Sequence, residues 1–243
     1  MITQRIGSRY SFVDSTEPKV FRVPGLGDHP HGGLIGYFGN AFVRTRPMAV
    51  WLQDAITQFP ASPDTSTFPP FLLQRLQADA RATQLRSVQG FHIGAFERRA
   101  GHRVPVFWFL RNSEISEATG QYQQLPGWAF RFEEQLLARD YATLAPRHIR
   151  DNLRTHVNVL GTPLWYRNGD LGVAAAAGLG IDVAAQAMSR FPAPGYRRPA
   201  SLERWGRLAS AYVTTASALA QVYFRAGTPT IGGRVVSVSI PWN

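Results

Sequence analysis

The sequence predicts an α+β domain, antiparallel strands layered under helices, and three observations predict it. The elements run strand, strand, helix, helix, hairpin, several helices, strand. Two β-rich runs, GFHIGAFERR and RVPVFWFLRN, are joined by the short turn AGH, the pattern of an antiparallel hairpin. The 243 residues are 44% hydrophobic, 12% aromatic and only 17% charged, which lets a single domain over residues 1–243 bury a core without disulfides or metals. Layering follows because every sheet face and helix stripe must be buried against another element. The same composition excludes a wholly disordered chain. Cysteine is absent, which excludes structural disulfides, thiolate metal sites and a cysteine nucleophile.

Each element has its own justification. Residues 8–23 read as two short strands around a polar turn, with apolar and basic residues alternating from Val20 to Val23. The glycine- and histidine-rich PGLGDHPHGG reads as a loop. GLIGYFG (33–39) reads as a buried strand ending in glycine. Residues 40–58 read as a helix with Met48, Leu52, Ala55 and Ile56 on one face and Pro47 in its first turn. FPASPDTSTFPP (59–70) has the composition of a loop, and a second helix is predicted over 71–83 with Leu72, Leu73 and Leu76 inward. In the hairpin that follows, Pro105 suits a strand start or an edge. Helices are predicted over 128–140, 146–155 and 169–190, then a loop over 191–201. Ser201 would cap a long helix over 202–225, and a last strand covers 231–240.

Three of these segments together resemble the proteasome β-subunit-like branch of the N-terminal nucleophile (Ntn) hydrolases. They are EPKVFRV followed after a loop by LIGYFGNA, the central hairpin, and TIGGRVVSVSI after a long helix. The resemblance implies an αββα four-layer sandwich of antiparallel sheets. It implies a peptidase or amidohydrolase whose first mature residue attacks an amide carbonyl, with its own α-amine as base. On this alignment Lys19 is the catalytic lysine that lowers the nucleophile's pKa, and it is the sole lysine among 26 basic residues. The backbone N–H of Ala41, with Asn40 beside it, becomes the oxyanion donor. Thr3 aligns with a substrate-binding threonine. The segment bearing the nucleophile, upstream of that threonine in the family, has no counterpart here, and Thr228 or Thr230 stands where the family has an acid before Gly-Gly. The expectation is therefore a domain truncated at its N-terminus or, alternatively, a non-catalytic subunit or assembly module. The resemblance implies no metal and no organic cofactor, a peptide or small amide as substrate, and assembly into a homo-oligomer.

Charge and the remaining motifs point elsewhere only weakly. The formal net charge is +10, but arginine is spread from Arg5 to Arg234, whereas phosphate contacts add up when charge is gathered on one face. An Arg-rich nucleic-acid binder is the distant alternative. His29-x-His31 beside Asp28 is too sparse for a metal site, and a solvated loop is expected there. His92, His102, His148 and His156 are expected to pack or cap. Glu133-Glu134 and Glu114/Glu117 are expected to be solvated, and WYRNGDL (165–171) to start a helix. The run LASAYVTTASALAQVYF (208–224) is expected to pack between layers or against a neighbouring subunit. No apolar run reaches a membrane span and no leader is seen, so a cytoplasmic location without membrane contact is expected.

Overall fold

The computed structural model describes residues 2–6, 9–14, 17–99, 101–115, 122–135 and 201–223. Strands β1 (Ile2–Ile6) and β2 (Arg9–Asp14) pair antiparallel as a ribbon of their own, with Thr3 opposite Phe12. The two strands expected within 8–23 are thus β2 and β3 (Val20–Val23), but they do not pair with each other. Strand β3 instead pairs antiparallel with β4 (Gly33–Phe38), in which burial alternates at every step: Gly33, Ile35 and Tyr37 are buried, Leu34, Gly36 and Phe38 half-buried. That period of two is what a strand with both faces partly covered requires.

Between β4 and the first helix lies a feature the periodicity did not reveal. Residues 40–47 are not helical. They form a tiny ribbon, β5 (Phe42–Val43) against β6 (Arg46–Pro47), turned by Arg44 at φ 54°. Helix α1 (Met48–Gln58) starts only after Pro47, which is its N-cap and not part of its first turn. The predicted face is buried as expected: Met48, Leu52, Ala55 and Ile56, joined by Ala49 and Trp51. A single 3-10 turn (Thr65–Thr67) leads into helix α2 (Phe68–Asp79), which therefore begins inside the predicted loop and ends before residue 83. Pro69 and Pro70 sit in its first turn, where proline costs no hydrogen bond. Leu72 and Leu76 are buried and Leu73 packs at the core's margin. A four-residue helix, α3 (Ala82–Leu85), follows.

The predicted hairpin is β7 (Gly90–Arg99) against β8 (His102–Arg111), paired over its whole length from Gly90–Arg111 to Arg99–His102. A small ribbon, β9 (Ser113–Ile115) with β10 (Tyr122–Gln124), then leads through a 3-10 turn to β11 (Arg131–Gln135). This corrects the helix predicted over 128–140: residues 131–135 lie antiparallel on β8. Glu133 and Glu134 are therefore consecutive strand residues, registered with Phe109 and Trp108 of β8. Pro105 is at an edge, as expected: it is registered with Phe96 of β7, and among the described residues the pairing of β8 with β11 stops at Phe107, short of it.

The result is one five-stranded antiparallel sheet, in the order β11-β8-β7-β4-β3. Cross-strand register puts Ile35, Ile93 and Trp108 in one row and Tyr37, Phe91 and Leu110 in the next. Helices α1 and α2 cover that face, and Val23, Ile35, Leu52, Phe68, Leu72, Phe91 and Leu110 are fully buried in the core between them. Emptying any one of the aliphatic positions to alanine costs about 2–5 kcal/mol. Mixed α+β architecture with antiparallel sheets is thus observed. Helix α4 (Leu202–Tyr223) matches the last predicted helix, and Ser201 Oγ accepts from the Arg204 N–H as its cap. Val213, Thr214 and Thr215 on it are exposed. The helices predicted over 146–155 and 169–190, WYRNGDL, and the strand over 231–240 lie outside the described residues.

Candidate functional site

The antiparallel register of β3 and β4 decides what stands near Lys19. Val20 is opposite Gly36, so Lys19 meets Tyr37, whose N–H donates to the Lys19 carbonyl at 3.2 Å. The Lys19 Nζ lies over the Tyr37 ring, 4.1 Å from its centroid. β4 ends at Phe38, and Gly39 follows it, two residues past Tyr37. Lys19 and the Gly39–Asn40–Ala41 turn are therefore brought to the same end of the sheet. Glu17, not singled out from sequence, belongs there too: its carboxylate accepts from the Ala49 N–H in the first turn of α1. A negative group at a helix N-terminus is favourable both as a hydrogen-bond acceptor and against the helix dipole.

The turn itself is held by carboxamides. Gly39 adopts φ +100°, and a Cβ there would stand 2.2 Å from the Val88 carbonyl oxygen, so only glycine fits. The Asn40 N–H donates to Gln89 Oε1 at 2.8 Å and its Nδ2 to the Gln84 carbonyl at 2.7 Å. The Gln84 side chain reaches across to the ribbon, accepting from the Arg44 N–H (2.9 Å) and donating to the Phe42 carbonyl (3.0 Å). This bidentate grip steadies Arg44 in the left-handed region that a non-glycine residue rarely adopts. Asn112, fully buried, accepts from the Gln89 N–H at 2.8 Å and donates to the carbonyls of Leu85 and Ser87. Of the two expected oxyanion donors, the Asn40 N–H is thus engaged by Gln89. The Ala41 N–H has no acceptor among the described residues, while its carbonyl accepts from Met48 N–H at 2.7 Å. Gln89 and Asn112 carry no sequence signal, because each acts on partners 23 to 49 residues away, whereas Gln84 adds to its distant partners a local one, accepting from the Arg81 N–H at the start of α3.

His92 lies on the sheet face opposite α1 and α2, across from Gly36. Its ring stands edge-on to Phe109 at 4.0 Å and to Phe38 at 6.1 Å. Burial, and secondarily the Arg111 guanidinium, lowers its pKa from 6.5 to about 3. An imidazole that basic only in strong acid is no general base at neutral pH.

The other end of the sheet gathers the 24–32 loop, the 59–66 loop and the tip of the β7–β8 hairpin. His29 is buried there, not solvated as predicted, with its ring 5.4 Å from that of Phe96. Its Nδ1 accepts from the His31 N–H at 3.1 Å. A neutral imidazole that accepts at Nδ1 carries its proton on Nε2, the nitrogen a metal would need bare. Among the described residues no group of three His, Cys, Asp or Glu side chains could hold a metal ion. Asp28 pairs with Arg98 at 3.1 Å and lies 3.9 Å from Arg103. Thr65, fully buried, donates its hydroxyl to Glu97 and accepts from Trp108 Nε1 at 2.8 Å, which ties the loop to the sheet.

Thr3 sits in β1, a ribbon separate from the sheet that carries Lys19. Thr228 and Thr230 lie outside the described residues. Among the described residues no helix is long and apolar enough to cross a membrane. Comparison of the chain with family models, with curated proteins and with solved structures gives no match.

Proposed function

We propose that this chain is a proteasome-like Ntn amidohydrolase domain that cleaves a peptide or other amide bond through an acyl-enzyme ester. The observation that carries the reading is the β3–β4 register, which sets Lys19 and the Gly39–Asn40–Ala41 turn at one sheet end. In this reading a hydroxyl on the first mature residue, which has no counterpart in this sequence, attacks the amide carbonyl. Its proton passes by way of the α-amine to the leaving nitrogen as the C–N bond breaks. Water then hydrolyses the ester and frees the acid. Lys19 favours the attacking oxygen by its charge, and the Ala41 N–H, which has no acceptor among the described residues, donates to the oxyanion. The implied four-layer sandwich needs a second sheet against the face that carries Phe38, His92, Phe107 and Phe109. The aromatic character of that face supports it. Assembly into a homo-oligomer belongs to the same reading.

One observation favours a second reading, a non-catalytic assembly module: Lys19 already has a structural use over the Tyr37 ring. Lys19→Arg separates the two, because a guanidinium keeps the cation over the ring but is not an equivalent proton-tuning group. The protein from its native source, treated with an amide-mimicking β-lactone, is expected to gain one acyl group on its N-terminal residue by intact mass. Lys19→Arg is expected to lose that adduct with its circular dichroism unchanged. No adduct in the unaltered protein would sink the hydrolase reading, and an adduct undiminished in Lys19→Arg would remove Lys19 from the chemistry.

A further inference from the structure

We infer that the crevice between the Asn40 turn, α2 and α3 is a binding site for one water molecule, held by the Gln89 carboxamide. Gln89 is 1% exposed. Its Oε1 accepts from the Asn40 N–H, and this fixes which way round the amide lies, since a flip would set two donors against each other. The Nε2 group is then a buried donor with no acceptor among the described residues. Buried polar groups in folded proteins are hydrogen-bonded with few exceptions. Gln89 lines a crevice of about 10 Å³ together with Asn40, Gln84, Met48, Leu76 and Phe130.

Size decides the occupant. A space of roughly 10–15 Å³ takes one water and no organic ligand. The lining is largely apolar, so the water depends on two polar partners, the fewest an internal water needs. Gln89 Nε2 donates to it. The water in turn donates to Asn40 Oδ1, which receives no hydrogen bond among the described residues while Nδ2 is committed to the Gln84 carbonyl. The water thereby closes a continuous polar belt from Asn112 through Gln89 to Asn40 and Gln84, and fixes the turn that precedes Ala41. None of this depends on the hydrolase reading, and the site stands or falls by itself.

A high-resolution crystal structure of the full chain tests it, alongside oxygen-17 relaxation dispersion on the unaltered protein and on Gln89→Met. The expected result is a solvent peak roughly 2.7–3.2 Å from Gln89 Nε2 and one long-lived internal water that Gln89→Met loses. A well-ordered Gln89 with no peak, or with Nε2 bonded to protein, overturns the proposal. So does a Gln89→Met protein that keeps the long-lived water. Should Gln89→Met not fold, the crystal structure of the unaltered chain decides alone.

Discussion

At one end of the five-stranded sheet the turn at Asn40 is held by side-chain amides, and at the other the 24–32 loop is held chiefly by its own backbone. Around the Asn40 turn, Gln84, Gln89, Asn112 and Asn40 itself make the ties, each spending a carboxamide on a main-chain group far along the sequence. At the opposite end the 24–32 loop is fastened by main-chain bonds: Gly27 N–H to Ser62 O, Ser62 N–H to Gly25 O, and Asp28 N–H to Phe96 O. Leu26 is fully buried beneath them. The difference teaches where each end is vulnerable. A backbone-held loop tolerates side-chain change but not a Cβ where two chains meet. An amide-held turn tolerates bulk at its surface but not the loss of one carboxamide, which leaves buried partners without hydrogen bonds.

The largest expected effect tests the backbone-held end. Gly27→Ala forces φ +80° on a residue with a Cβ and sets that Cβ 2.3 Å from the Phe96 carbonyl oxygen. We expect a loss of about 4 kcal/mol in urea unfolding. A loss under about 1 kcal/mol would show that the loop gives way easily. Next comes the amide-held end. Asn112→Ala orphans the Gln89 N–H and the Leu85 and Ser87 carbonyls and should cost about 3 kcal/mol by the same measurement. An equal cost for Asn112→Asp, which keeps the acceptor but loses both donors, would assign most of the effect to the carbonyls.

A third effect separates the ends by pH. The unfolded chain protonates His92 below about 6.5, the folded chain only near 3. Stability is therefore full above pH 6.5 and falls as the pH drops from there toward 3. The ring is half-buried, so the loss is expected on the order of 2 kcal/mol, less than the whole shift would give. His92→Gln should flatten that slope in pH-dependent denaturation; an unchanged slope would place the titrating group elsewhere. Smallest of all, Arg98→Ala breaks an ion pair whose arginine is 59% exposed and should cost less than about 0.5 kcal/mol. A larger loss would mean that charge, not backbone, holds the hairpin tip to the loop.

What could be read from the sequence follows the range of the interactions. Local periodicity found β3, β4, the long hairpin, the buried face of α1 and the cap at Ser201, because each is written within a few neighbouring residues. It misread 131–135, where Phe132, Glu133, Glu134 and Gln135 suit a helix in isolation and pairing with β8 makes a strand. It also ran α1 back through 40–47, since Arg44 at positive φ looks like any other residue in the sequence. Lys19 and Ala41 were singled out by a spacing of motifs, and what the structure adds is only that they stand at the same end of the sheet. The carboxamides that position their surroundings were not, since single glutamines and asparagines form no pattern. His29 was misjudged because a Gly/Pro-rich loop gives no sign that its backbone is fastened at both sides.

Each end of the sheet also carries its own optical label. The indole of Trp51, almost fully buried in α1, donates to Asp79 at the close of α2 and reports on the amide-held end. The indole of Trp108 donates to Thr65 and reports on the backbone-held end. The chain has six tryptophans, so replacing one or the other by phenylalanine and subtracting the variant's emission from that of the unaltered protein would isolate the signal of a single end. The order in which the two ends come apart could then be followed by emission, without attaching any dye.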